Sequence, residues 1–361
     1  MHHPNAEPVT VAQLDTFEEV IDVRAPSEYI EDHIPGALSC PVLSDDERAL
    51  VGTLHKQASA FDAKRRGAVL VARNIADHIE QKFATRPTHW RPLIYCWRGG
   101  KRSRAMALIF REIGWRAAQL ESGYKAYRRA VVDDLTRLPT EQHFVVVCGE
   151  TGSATSKLLT ALHDRGAQVL DLEAIAQHRG SVLGDLPESP QPAQKWFESQ
   201  LWHALRRFSG SAPIFVESES KKIGQLQVPD ALIAAMRASQ CIRLDVPIDE
   251  RARYLINEYA HFVTNPDALA AKLEHLRPLH GATVIDRWRA QTTANEWPVF
   301  VADMLAHHYD PAYRRSMARN FAQLGEAAVI APTRLDADGI GAAADATLAA
   351  VASGSASRLA M

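Results

Sequence analysis

Twice along this chain a short apolar run ends in a glycine-containing turn that opens into a helical pattern. The first run is Leu93-Ile94-Tyr95-Cys96, followed by Gly99 and Gly100 and helical spacing from Ser103 to Ile113. The second is Phe144-Val145-Val146-Val147-Cys148, followed by Gly149 and Gly152 and helical spacing from Ser156 to His163. Strands that alternate with helices in this way build parallel sheets covered on both faces. Glu19 to Val23 adds a strand to the first half, and Gln168–Leu172, Pro213–Glu217 and Cys241–Val246 add strands to the second. A length of 361 residues exceeds one ordinary compact domain. The expectation is two α/β domains, residues 1–137 and 138–361, the second mostly helical from Asp249 to about Leu324. Within the first, Asp46 to Phe83 reads as one long helical stretch. The polar segment Asp133–Gln142 reads as a linker, and the Ala/Gly/Ser-rich tail after Asp336 as a weak helix with a frayed end.

Composition narrows the class. A net charge of −2 rules out a polycation, so contact with nucleic acid has to come from local patches. The candidates are Lys64-Arg65-Arg66, the loop Arg98–Arg104, Lys125 with Arg128 and Arg129, and Arg314-Arg315. No run of about 18 apolar residues suggests a membrane helix. The opening MHHPNAEPVT lacks the basic-then-apolar order of a signal peptide, so a cytoplasmic location is expected. Cys40, Cys96, Cys148 and Cys241 are scattered, without the paired spacing of a zinc site. In a reducing compartment Cys96 stays free to react.

Cys96 stands at the head of Trp97-Arg98-Gly99-Gly100-Lys101-Arg102-Ser103. A loop between strand and helix turns its backbone N–H groups towards one point and adds a helix N-terminus. Such a cradle holds an anion and favours the thiolate of a cysteine at its mouth. Gly99 and Gly100 let the backbone curl. Arg98, Lys101 and Arg102 add positive charge, with Arg102 suited to bidentate contact with an oxyanion. Ser103 is placed to cap the helix. The Cys-x5-Arg spacing also occurs in phosphatase loops and leaves the chemistry open.

Gly149-Glu150-Thr151-Gly152-Ser153-Ala154-Thr155-Ser156 follows a strand and opens a helix, as a phosphate-binding loop does. The template G-x-x-x-x-G-K-[ST] wants glycine at 154 and lysine at 155, where this chain has Ala154 and Thr155. Lys157 is no simple replacement, because two residues along a helix point about 200° away. Backbone amides and the helix dipole still attract phosphate, and Ser156 still offers an oxygen to magnesium. Loss of the lysine charge favours diphosphate binding over rapid phosphoryl transfer from ATP. Glu217, at the end of an apolar strand, or Glu219 is placed to hold magnesium through water or to act as a base.

Family resemblance enters on these residues. Ile21-Asp22-Val23-Arg24, Glu28-Tyr29 and His33-Ile34-Pro35-Gly36-Ala37 resemble the opening of rhodanese-like domains. Asp22 is then expected to fix backbone near the loop, or to form a surface ion pair with Arg24. Together with the loop after Cys96 and with Glu47-Arg48, Val51-Gly52-Thr53 and Lys56-Gln57, the first domain resembles that of the bacterial tRNA 2-selenouridine synthases. In the second domain the segments Asp171–Glu173, His178–Ser181 and Glu217–Gly224 resemble the same family. So do Glu258-Tyr259 and His308–Pro311 with Tyr313.

The resemblance implies an α/β fold: a rhodanese-like domain with a parallel sheet, then a P-loop NTPase-like α/β domain and a mostly helical C-terminal part. It implies a transferase that replaces the sulfur of wobble 2-thiouridine in tRNA with selenium from selenophosphate. The route passes through an S-geranyl intermediate made from geranyl diphosphate, with magnesium as a helper and no tightly bound cofactor. Cys96 would carry or guide selenium, with Arg98, Gly99, Gly100, Lys101, Arg102 and Ser103 holding the anion. Gly149, Thr151, Gly152, Ser153, Ala154, Thr155 and Ser156 would hold the diphosphate. His178, Arg179, Ser181, Glu217 and Glu219 would support them. Partners would be tRNA and a selenophosphate supplier, not a membrane, and the oligomeric state stays open. Three other readings remain: a thiosulfate sulfurtransferase fused to a nucleotidase, a cysteine-dependent phosphatase, and a non-catalytic tRNA-binding module.

Overall fold

The computed structural model describes residues 9–57, 59–181, 183–186, 189–210 and 212–359, with side chains to 353. The first eight residues of the N-terminal segment read above for a signal peptide lie outside this set. The chain forms two compact units, one of Met1–Leu135 with Pro192–His203, the other of Thr136–Gln191 with Ala204–Met361.

In the first unit β1 (Glu19–Asp22), β2 (Leu38–Ser39), β3 (Pro92–Tyr95) and β4 (Ala118–Gln119) form a parallel sheet in the order β2-β1-β3-β4. All four residues of β3 are buried, as expected of a central strand covered on both faces. Register pairs Asp22 with Tyr95 and Ile94 with Gln119. Covering helices are α1 (Pro26–Glu31), α2 (Asp45–Gln57), α3 (Ala60–His78), α4 (Lys101–Ile113) and α5 (Gly123–Glu141). The stretch read as one helix over 46–83 is therefore two. Ser59 ends the continuity, its Oγ accepting hydrogen bonds from the amides of Phe61 and Asp62 at 3.1 and 3.3 Å. A short π-helical segment, Ile79–Phe83, follows α3. Phe83, Trp90, Phe110 and Trp115 stack edge-on and tilted beneath the sheet.

The expected linker at 133–142 is instead the end of α5. Tyr127, Val131 and Leu135 recur every four residues on a buried stripe. Tyr127 meets Trp202 edge-on at 5.3 Å, and Trp202 Nε1 donates to Asp134 at 2.9 Å. Polar residues on the outer face hid this helix from a composition-based reading.

In the second unit β5 (Phe144–Gly149), β6 (Gln168–Leu170), β7 (Ile214–Glu217), β10 (Gln240–Leu244) and β11 (Ala328–Ile330) form a parallel sheet in the order β11-β10-β5-β7-β6. A two-stranded hairpin, β8 (Lys222–Ile223) with β9 (Leu226–Gln227), lies outside it. α6 (Thr155–Asp164) follows β5. β6 ends two residues earlier than expected, because Asp171 caps α7 (Leu172–Ala176) by accepting from the Ala174 amide at 2.8 Å. α9 (Asp230–Ala238) precedes β10, whereas α8 (Gln194–Arg207) belongs through residues 194–203 to the first unit. The helical region is α10 (Ile248–Glu258), α11 (Ala260–Thr264), α12 (Pro266–Glu274), α13 (Arg277–His280), α14 (Ala282–Thr293), α15 (Trp297–Met304) and α16 (Asp310–Asn320). Leu269, Leu273, Ile285, Trp288 and Phe300 form its core.

The tail after Asp336 is no weak helix. α17 (Ala337–Leu359) buries Ile340, Ala344, Thr347 and Val351 at helical spacing against the cluster that holds Leu158, Leu162 and Phe215. Small residues let the helix approach closely, so low side-chain volume here marks tight packing.

Candidate functional site

The first candidate centre surrounds Cys96. Its sulfur is buried at the C-terminal end of β3 and accepts from the Gly100 amide at 3.2 Å and from Ser103 Oγ at 3.1 Å. Two donors and the start of a 13-residue helix thus face the sulfur. Ser103 does not cap α4 as expected. Gly100 holds the cap position, and the Ser103 hydroxyl turns inward to the sulfur.

Glycines close the loop. Gly99 has φ +62°, and a Cβ there would come within 2.8 Å of the Leu120 carbonyl. Gly123 has φ +54°, and a Cβ there would overlap the Cys96 carbonyl. The Tyr124 amide donates to that carbonyl at 2.9 Å and the Lys125 amide to Trp97 O at 3.1 Å, so the start of α5 braces the loop. Trp97 stacks on Tyr124 at 5.2 Å.

The charges divide. Arg102 does not point freely into the cradle; its Nη1 donates to Glu28 Oε2 at 3.0 Å. Burial pushes the Glu28 carboxyl up, but the Arg102 hydrogen bond and charge hold it below its ordinary value. Arg98 and Lys101 are exposed. Asp22 and Arg24 form a buried ion pair at 2.6 Å, not a surface one. Tyr95 donates its hydroxyl to Asp22 at 2.7 Å, and the Arg24 guanidinium lies 4.0 Å from the Tyr124 ring centroid. Sequence reasoning missed Gln119 and Tyr124 and gave Glu28 no role beyond the family motif, because their partners belong to other elements.

The second centre is the loop between β5 and α6. Gly152 has φ +87° and Ala154 φ +58°. The backbone therefore turns left-handed at the position where the template wants glycine, although alanine stands there. A Cβ on Gly149 would sit 2.9 Å from Ser153 Cβ. The Gly149 amide donates to Tyr313 Oη at 2.9 Å. Thr155 begins α6, where the template has lysine. Lys157 pairs with Glu258 at 2.6 Å and lies over the Tyr254 ring. Ser153 Oγ is buried and accepts no hydrogen bond among the described residues.

Carboxylates gather beside this loop. Ser156 Oγ donates to Glu173 Oε2 at 2.8 Å, and the Glu173 amide to Glu217 Oε1 at 2.7 Å. Burial and the neighbouring Glu173 charge push Glu219 up to about 8; burial and the charges of Asp171, Glu173 and Glu219 raise Glu217 well above the ordinary carboxylate range. Glu217 Oε2 has no hydrogen-bond partner among the described residues. At Gly180, φ +65°, a Cβ would overlap Glu219, so the His178–Ser181 turn packs on this cluster. His178 is buried, 3.4 Å from Asp185, and burial lowers its pKa. Arg179 Nη1 donates to the Glu258 carbonyl at 2.7 Å, and its guanidinium stands 4.8 Å from the Tyr259 ring centroid.

An apolar hollow, open to solvent at its mouth, is lined by Thr151 of the loop and by Ser181. Its walls include Leu255, Tyr259, Phe300 and Met304. Leu255 lies so near the loop that a Cβ on Gly152 would be 2.9 Å from its Cδ1. Arg251, not singled out from sequence, is buried here. It pairs bidentately with Asp310 at 2.8 Å, donates to the Thr151 carbonyl at 3.1 Å and meets Glu150 at 3.1 Å.

A cysteine cradle on one parallel sheet and a strand–loop–helix anion site on another define a rhodanese-like domain followed by a P-loop-type domain. The rhodanese-like domain family matches residues 9–130, and the tRNA 2-selenouridine synthase AAA domain family matches residues 142–276. A tRNA 2-selenouridine synthase of Nitrosomonas europaea is 34% identical over 274 residues, covering 74% of this chain and 70% of the relative. That of Aeromonas salmonicida is 37% identical over 67% of this chain and 65% of its own length. That of Shewanella loihica is 29% identical over 83% and 87%. The chain belongs to the tRNA 2-selenouridine synthase family.

Proposed function

We propose that this chain converts wobble 2-thiouridine in tRNA to 2-selenouridine, through an S-geranyl intermediate made from geranyl diphosphate and with selenium from selenophosphate. The observation that carries the geranyl step is the apolar cavity opening beside an anion-binding loop. A polar cradle next to walls of leucine, methionine and aromatic rings suits an amphiphile with an anionic head and a hydrocarbon tail. A nucleotide would waste the apolar walls. The Gly149–Ser156 backbone and the α6 N-terminus bind the diphosphate. Thr155 in place of lysine withholds the charge that ATP turnover asks for.

In the first step the 2-thio sulfur attacks C1 of the geranyl group, the C1–O bond breaks, and diphosphate leaves. In the second, the selenium of selenophosphate adds at C2 of the uracil ring, the C2–S bond breaks with release of geranylthiol, and water cleaves the Se–P bond, leaving 2-selenouridine and phosphate. Sulfur bearing an alkyl group leaves far more readily than a thiocarbonyl sulfur. Cys96, with the Gly100 amide and Ser103, guides selenophosphate to that carbon.

No three acidic, histidine or cysteine side chains converge as a metal shell among the described residues. Magnesium needs no such shell when one or two protein oxygens and the substrate's phosphates hold it. The unpaired, buried Glu217 Oε2 and the mutual repulsion of the carboxylates fit such an ion, with Ser156 and Glu217 holding it. When bound it would neutralise charge on the departing diphosphate.

The test incubates the protein with thiolated tRNA, geranyl diphosphate and selenophosphate, followed by nucleoside mass analysis. Geranylated thiouridine is expected without selenophosphate, and 2-selenouridine once it is added. Cys96→Ala is expected to stop at the geranylated nucleoside. Selenouridine formed without any geranyl diphosphate, or undiminished in Cys96→Ala, would overturn the scheme.

A further inference from the structure

Gln119 lies 23 residues beyond Cys96 and outside its loop, yet its side chain closes a chain of hydrogen bonds onto the sulfur. Gln119 Nε2 donates to the Gly99 carbonyl at 2.6 Å and to Ser103 Oγ at 2.8 Å. A carbonyl only accepts, so the contact with Gly99 fixes the amide orientation: nitrogen, not oxygen, faces the loop. Its second N–H then points to the lone pairs of the Ser103 oxygen at 2.8 Å, a closer acceptor than the Gly100 carbonyl at 3.3 Å. With that oxygen already accepting, the Ser103 proton goes to Cys96 Sγ, 3.1 Å away, in preference to the Gly100 carbonyl at 3.3 Å. Hydrogen bonds in series polarise one another and strengthen the last of them.

We propose that Gln119 is a positioning residue that aims the Ser103 hydroxyl at the Cys96 sulfur and so sets the reactivity of the nucleophile. β4 fixes it there, since register pairs Gln119 with Ile94, two residues before the cysteine. The other charged and titratable groups about the loop are Arg98, Lys101 and Arg102 within it, Arg104 on the first turn of α4, Asp22 and Arg24 at the end of β1, Glu28 on α1, Tyr95 on β3, and Tyr124 and Lys125 on α5. None of them is altered by a change at 119.

The experiment follows alkylation of Cys96 by iodoacetamide between pH 5 and 10, with Cys96→Ser protein as the background for the remaining cysteines. Gln119→Met keeps the length and removes the donor. Its rate at pH 7 is expected to fall about fivefold, the order of one hydrogen bond, and to approach the wild-type rate at pH 10. Ser103→Ala should show the same shift, and the double variant should be no worse than Ser103→Ala alone. Thermal melts check that each variant is folded. Effects of the two changes that simply add, or a Gln119→Met profile that lies parallel to wild type at all pH values, would overturn the relay. A wild-type Cys96 that does not react at any pH would overturn the assignment of the nucleophile itself.

Discussion

Ala154 carries a conformation that its side chain resists. With φ at +58° its Cβ crowds the following carbonyl, a cost of about 1–2 kcal/mol for an L residue. Glycine escapes that cost but loses more entropy on folding, by about 0.5–1 kcal/mol. The methyl is also buried, and losing it costs about 0.8 kcal/mol, so Ala154→Gly is expected to leave the second unit within about 1 kcal/mol of wild type, read as a nearly unchanged urea midpoint at unchanged slope. A loss of about 2 kcal/mol or more, on the order of a core truncation, would show that the strain is not there. Glu219 makes a pH prediction. Its folded-state value is near 8, raised by burial and by Glu173, whereas the unfolded carboxyl ionises near 4.3. The native state stays protonated after the unfolded chain has ionised, so its contribution is full below about pH 4.3 and is lost as pH rises towards 8. The melting temperature should fall between pH 6 and 8, by the equivalent of about 1–3 kcal/mol, and Glu219→Gln should flatten that slope. An equal slope in both proteins would remove Glu219 as the cause. The glycines, Cys96 and the loop serine were legible in sequence because strand, turn and helix follow one another along the chain. Gln119 and Arg251 were not. Arg251 reaches Thr151 across 100 residues, and only the sheet order brings such partners together.

Whole elements were legible where their pattern was strong and were missed where it was muted. The central strands β3, β5 and β7 are unbroken apolar runs, and all of them appear in the fold. α5 was lost to the acidic and polar residues of its outer face, although Tyr127, Val131 and Leu135 mark its inner one. α17 was lost because alanine and glycine give a weak amphipathic signal, while its burial depends on how closely the helix can approach α6. Packing of that kind is sensitive to truncation at its few large side chains. Ile340→Ala is expected to cost the second unit on the order of 2 kcal/mol. Chemical denaturation followed by a signal from that unit should show the loss, while the reactivity of Cys96 stays as in wild type. An unchanged midpoint would mean that α17 is an appendage and not part of the core.

At the scale of the molecule the proposed function asks how a chain of net charge −2 would hold an anionic tRNA. Arg98, Lys101, Arg104 and Lys125 stand on the cysteine loop, on the first turn of α4 and at the start of α5, and all four are exposed. Their side chains make no ion pair among the described residues, unlike Arg102, Arg48 and Arg65, which are engaged by carboxylates. On that proposal, these cations at the mouth of the Cys96 loop would bind the phosphates on either side of a base brought to Cys96. The wobble base lies in a single-stranded loop, the part of an RNA whose bases can be splayed out to a protein. Each phosphate contact on a single strand contributes about −0.7 to the slope of log affinity against log salt. Lys101→Glu with Lys125→Glu should therefore weaken tRNA binding and make the slope shallower by about 1.4, with a folded protein and a reactive Cys96. Lys64→Glu with Arg66→Glu makes the same charge change on α3, which contributes nothing to the loop, and should leave the slope as it is. If the two double variants lose the same slope, the chain responds only to its total charge and the loop cations have no special place in binding.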